Sequence, residues 1–167
     1  MKSMFGESIG SCGRILVFRI PTGDDLVQSI LKHCSINCLN SGVLISCVGS
    51  LKQARYQWTK ASTKTLRGSE RSDLVSVQGP VELLSAHGML GVDSPNGEMT
   101  GHFHATFCDE EGKMFGGHIT EGGNIVHSTM DVVILEIAGI ELARIYDPAI
   151  ELPILMSKNV IQSDEEI

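Results

Sequence analysis

Apolar residues recur along this 167-residue chain in two different periods. Arg14–Ile20 is rich in β-branched and aromatic residues and is closed by Pro21, which predicts a first strand. Val27, Ile30, Leu31, Cys34 and Cys38 follow at helical spacing, one apolar face of a helix of about four turns. Thr22-Gly23-Asp24-Asp25 offers an N-cap and acidic residues for the first turn, and Asn40-Ser41-Gly42 stops the helix. Val43–Gly49 is a short apolar run and predicts a buried strand.

Between Lys52 and Arg71 the pattern turns polar. Arg55, Gln57 and Thr59 alternate with Tyr56 and Trp58, as in an amphipathic edge strand, and Ala61–Ser72 predicts a mobile polar loop. From Leu74 onward the chain is β-rich: Leu74–Val77, Val81–Leu90, His102–Cys108, Met114–Ile119, Asp131–Ile137 and a last strand at Glu141–Tyr146. Turn signals at Gln78-Gly79-Pro80, Ser94-Pro95-Asn96-Gly97 and Asp109-Glu110-Glu111-Gly112 separate these runs. The polar end, Ser157–Ile167, is expected to fray. The expected organisation is an N-terminal extension (1–13), one domain (14–150) and a C-terminal tail (151–167). One helix on a mainly antiparallel or mixed sheet makes an α+β domain.

Composition adds what the pattern leaves open. With 42% hydrophobic and 20% charged residues the chain is globular rather than disordered. The net charge is −7, which argues against a protein that coats nucleic acid. That charge is uneven. Lys52, Arg55, Lys60, Lys64, Arg67 and Arg71 stand against the single acid Glu70, so this segment carries +5 and the remainder −12. One local basic surface for nucleic acid therefore remains a reading, beside that of a solvated edge. Five cysteines, an odd number without a C-x-x-C pair, and the lack of a signal-peptide layout or a membrane-length apolar run predict a reducing, cytoplasmic location.

Five of the six histidines lie between positions 87 and 127. His102 and His104 are two apart in a strand pattern and share a face. Asp109–Lys113 fits a three-residue hairpin loop with Gly112 in the left-handed conformation. Asp109 then faces Lys113, and five residues further along each strand His104 faces His118. A two-residue turn at Glu110-Glu111 would instead put His118 on the opposite face; the glycine position favours the longer loop. Three neutral imidazoles on one face can hold a divalent ion, zinc first, and leave a coordination position open. The alternative is three histidines satisfied by neighbours and solvent. His87 and Glu121 are candidates for an extra ligand or a supporting role. Glu98 is expected to be a solvated loop acid, His33 a solvated or capping helix residue, and His127 has no assigned direction.

The segments Pro80–Ser85, Gly101-His102-Phe103-His104-Ala105 and Gly116-Gly117-His118-Ile119-Thr120-Glu121-Gly122 together resemble the plants-and-prokaryotes-conserved (PPC) domain, as do Val43–Leu51 and Thr129–Glu136. The resemblance runs from about Arg14 to Pro148. It implies an α+β domain that assembles as a homotrimer. Stand-alone members bind a metal through elements that fall here on His102, His104 and His118. Plant members carry an AT-hook, which this chain lacks, so minor-groove binding is not implied. Histidines at positions like 87 and 127 depart from the family pattern. The function expected is that of a metal-binding homotrimer of undefined reaction, with a hydrolase and a small-molecule binder as its two forms; the alternatives are a DNA-associated module using Lys52–Arg71 and a structural or partner-binding trimer whose histidines only tie the sheet together.

Overall fold

In a computed structural model, which describes residues 7–93 and 96–160, the first apolar run forms β1 (Ser11–Pro21) and leads into one helix, α1 (Leu26–Ile36). Both helix ends differ from expectation. Asp24 and Asp25 precede the helix instead of lying in its first turn. Asp25 is the N-cap, and its Oδ1 accepts from the Gln28 amide at 3.1 Å. At the other end Asn37 caps the helix and Cys38 takes a left-handed backbone, φ 53°. The Cys38 amide donates to the Ser35 carbonyl and the Leu39 amide to the Cys34 carbonyl, which closes the end with two carbonyls satisfied. Cys38 is thus exposed, and Leu39, not Cys38, completes the buried stripe of Leu26, Val27, Ile30 and Cys34.

The remaining elements are β2 (Gly42–Gln57), β3 (Thr59–Ala61), β4 (Ser69–Arg71), β5 (Val75–Asp93), β6 (Met99–Cys108), β7 (Met114–Ile119), β8 (Ile125–Ala138), β9 (Ile140–Asp147) and β10 (Leu152–Asn159). Eight strands form one mixed sheet in the order β1-β8-β2-β7-β6-β5-β9-β10. Its ladders are antiparallel except β5–β9, which is parallel. β2 also pairs with β5, so β2, β5, β6 and β7 close into a ring. Phe103, Ala105 and Phe107 of β6 point into it and pack in the core with the α1 stripe. The alternate residues His102, His104 and Thr106 face out.

Two expected breaks are absent. Arg55–Gln57 belongs to β2, which is an interior strand and not an edge: its neighbours are β8, β5 and β7. The polar alternation there is deceptive because Arg55 is used internally; its amide donates to Asn124 Oδ1 at 2.8 Å and its guanidinium to the Gly122 carbonyl. Gln78-Gly79-Pro80 does not end a strand either, and β5 runs through it with a register shift opposite Leu51 and Gln53. The segment expected as a mobile loop takes in the last residue of β3 and all of β4, which pair as a ribbon. Within the expected terminal segments, Ser11–Gly13 already belongs to β1, and residues 152–159 are β10, paired along their length with β9. Ser94 and Pro95 of the expected turn, and residues 161–167 of the expected frayed end, lie outside the described residues. Among the described residues no helix is long and apolar enough to cross a membrane.

Candidate metal centre

The β6–β7 hairpin is set by its turn. The Gly112 amide donates to the Asp109 carbonyl at 3.0 Å and the Asp109 amide to the Lys113 carbonyl at 3.1 Å. Asp109 Oδ1 also accepts from the Glu111 and Lys113 amides. Gly112 has φ +80°, a conformation that glycine adopts without strain. The resulting register pairs Cys108 with Met114 and His104 with His118.

His102, His104 and His118 therefore converge. One ligand nitrogen from each lies within 4.8 Å of the others. His102 Nε2 and His104 Nε2 are 3.1 Å apart. Two nitrogens bound tetrahedrally at ~2.0–2.1 Å would stand about 3.3 Å apart, so the pair is close to ligating separation. The same distance also serves an N–H···N bond between the two rings. His118 separates the two readings, because its Nδ1 is buried and has no hydrogen-bond partner. An orphaned ring nitrogen beside two more imidazoles fits a divalent ion better than a closed hydrogen-bond network.

All three rings resist protonation. Burial, with the positive fields of Arg71, His102, His104 and Arg144, pushes His118 down to about 3. Burial and neighbouring positive charge lower His102 and His104 as well. Neutral imidazole is the form that ligates a metal, so the cluster needs no deprotonation at neutral pH.

The other candidates are not among the three whose ligand atoms converge. His87 is the cross-strand partner of His104 on β5 and is exposed, on the rim of an open cleft of 420 Å³ that also includes Thr106 and Phe115. Glu121 and Glu98 instead line a different 640 Å³ cleft beside Gln28 and Lys32 of α1. His33 stacks on Phe18 with ring centroids 4.2 Å apart, and its carbonyl accepts from Asn37. His127 is exposed on β8.

The residues of the basic segment meet different partners. Lys52 is exposed on β2, and Lys64 is exposed. Lys60 pairs with Glu70 at 3.3 Å, Arg67 donates to the Ile150 carbonyl at 3.0 Å, and Arg55 turns inward as described. Arg71 is half-buried and close enough to act on all three imidazoles. Sequence reading missed Arg144 entirely. It comes from β9, donates to the Gly101 carbonyl at 2.6 Å, and its buried Nε has no partner. No local motif marks it; only the β5–β9 pairing brings it to β6.

Comparison with known structures places this hairpin in a recurring fold. The chain superposes on a metal-containing protein of Archaeoglobus fulgidus with a TM-score of 0.76 at 19% identity, covering 91% of this chain and 99% of that one. A plant- and prokaryote-conserved (PPC) protein of Pyrococcus horikoshii matches with a TM-score of 0.72 at 22% identity, covering 90% and 97%. A Ralstonia eutropha protein with a provisional DNA-binding name matches at 0.68 and 19%, covering 83% and 88%. In sequence, a Bifunctional protein GlmU of Synechococcus sp. is 28% identical over 136 residues, 81% of this chain and 19% of that protein. This chain therefore spans about a fifth of the length of that relative. The profile of the Plants and Prokaryotes Conserved (PCC) domain matches residues 7–138, which include β1, α1 and every histidine described above, and the chain belongs to that family.

Proposed function

We propose that this protein binds a divalent metal ion, zinc first, through His102, His104 and His118, and offers the remaining coordination position to a small molecule. The observation that carries the reading is the convergence of three neutral imidazoles with His118 Nδ1 buried and unpartnered. Three protein nitrogens with solvent access is the open arrangement of zinc sites that handle ligands, whereas closed structural sites use four protein ligands. A bound ion would supply Lewis acidity there. The chain's own contribution is to hold three rings neutral and fixed on a rigid hairpin. The metal-containing Archaeoglobus relative is consistent with this reading. The DNA-associated alternative would draw on the exposed Lys52 and Lys64, since Arg55, Lys60 and Arg67 already engage partners within the chain.

A homotrimer is part of the same proposal. The outer sheet face carries Ile15 and Val17 of β1, 66% and 69% exposed, beside their strand partners Leu135 and Val133 of β8. Exposed Ile45 and Val48 extend this face onto β2. An apolar strip of this kind is a site for association. The five cysteines are free, and Cys34 and Cys47 are buried, which suits a reducing, cytoplasmic setting.

Metal analysis of purified protein tests the site. The wild type is expected to retain about one ion per chain, and His104→Ala to lose it. Stoichiometric metal that survives the substitution contradicts the assignment.

A further inference from the structure

This inference rests on the metal reading and concerns what that site accepts. The backbone brings Arg71 to the histidines. β4 ends at Arg71, which pairs with Thr59 of β3. The next residue, Ser72, is stitched to β2: its amide donates to the Trp58 carbonyl at 2.8 Å, its Oγ accepts from the Trp58 amide at 3.1 Å, and its carbonyl accepts from Gln57 Nε2 at 2.8 Å. Gln57 is the strand partner of His118. The ribbon therefore ends at the β2 border of the cluster.

Arg71 differs from the other arginines of its segment. Arg55, Lys60 and Arg67 each engage a carbonyl or a carboxylate, whereas the Arg71 side chain makes no hydrogen bond or ion pair among the described residues. Its guanidinium is half-buried and keeps its N–H donors available to a ligand. On the β9 side, Arg144 Nε is buried without a partner. The charges that act on the three rings are all positive. A divalent ion there would join two guanidiniums, and among the described residues no carboxylate belongs to the histidine group, so an anion would complete the site.

We propose that Arg71, supported by Arg144, is the anion-binding half of this site, so that its ligand is a small molecule bearing a carboxylate or a phosphate. The planar guanidinium grips two oxygens of such a group and presents it to the imidazole cluster. The cleft that opens at His104 lies against Phe115 and Met114 and accommodates the rest of the molecule, with His87 on its rim.

The test uses full-length protein loaded with cobalt(II), whose visible bands report changes at the ion. Inorganic phosphate is titrated in one arm and acetate in the other. Saturable band shifts are expected with the wild type, and the tighter arm assigns the oxyanion. Arg71→Gln is expected to weaken that binding by about tenfold or more while cobalt affinity stays unchanged; Arg71→Lys, which keeps the charge but not the fork, falls between. Circular dichroism verifies that each variant is folded. Cobalt binding with no anion response, or equal anion affinity in Arg71→Gln, overturns this proposal alone. Failure of the wild type to bind cobalt overturns the metal reading and this proposal with it.

Discussion

His104 and His118 face each other across the β6–β7 ladder, and the turn that fixes this pairing lies five residues from each. Gly112 holds the turn's left-handed position, and a Cβ there would meet nothing within 4 Å. The penalty for another residue is therefore conformational, not steric. Gly112→Val should cost about 1–2 kcal/mol, and Gly112→Asn less, because asparagine tolerates this conformation. Urea unfolding of the two variants checks the order. Equal stability of Gly112→Val and wild type would contradict this description of the turn.

The end of the strand carrying His118 is pinned by Asn124, which is 0% exposed. Its Nδ2 donates to the Thr120 carbonyl at 2.7 Å, its Oδ1 accepts the Arg55 amide, and its amide donates to Asp25 Oδ2 at 2.9 Å. Asn124→Ala would leave the Arg55 amide and the Thr120 carbonyl unpaired, at about 1–3 kcal/mol for each group. Asp25→Ala removes the helix cap and one partner, about 0.5–2 kcal/mol for the cap. Chemical denaturation should rank Asn124→Ala as the more damaging.

Acid should destabilise the metal-free protein over two overlapping windows. His118 is held down to about 3 against a usual 6.5, first by burial. Below pH 6.5 the unfolded chain takes a proton that the folded chain refuses, so stability falls as pH drops from 6.5 toward 3. His102 and His104, lowered in the same direction, add to this slope. Glu136, gripped by Arg14 through two 2.7 Å bonds, is pulled down to about 2. Its contribution is complete above 4.5 and is lost as pH falls through 2. His118→Gln should flatten the upper window and Glu136→Gln the lower one, read as unfolding midpoints against pH.

Much of this was legible because it is local. Asp109–Lys113 carries its turn chemistry in five consecutive residues, and the His-x-His spacing fixes a shared face. The early end of α1 was hidden because Cys38, an apolar residue at the right spacing, takes the left-handed position that glycine usually fills. The length of β2 was hidden because Arg55 and Gln57 look solvated and are in fact bonded to Gly122 and Ser72. Arg71 was counted as one charge in a basic run, and Arg144 was not singled out. Arg71 reaches the histidines through the β3–β4 ribbon and Arg144 through the long-range β5–β9 ladder, and neither pairing has a local signature.

The apolar face of β1 and β8 predicts self-association. Sedimentation equilibrium should return three times the 18.0 kDa chain mass. Val17→Asp, which puts a charge at the centre of the exposed strip, should dissociate the assembly while leaving the sheet folded. A monomeric wild type would contradict the homotrimer.

The central claim is that one divalent ion sits among the three imidazoles. A crystal grown with zinc and measured on both sides of the zinc absorption edge tests it most directly. The predicted result is one anomalous peak about 2.0–2.1 Å from a ring nitrogen of each of His102, His104 and His118. A fully zinc-loaded crystal with no peak at that point, or with its peak on other residues, would contradict it.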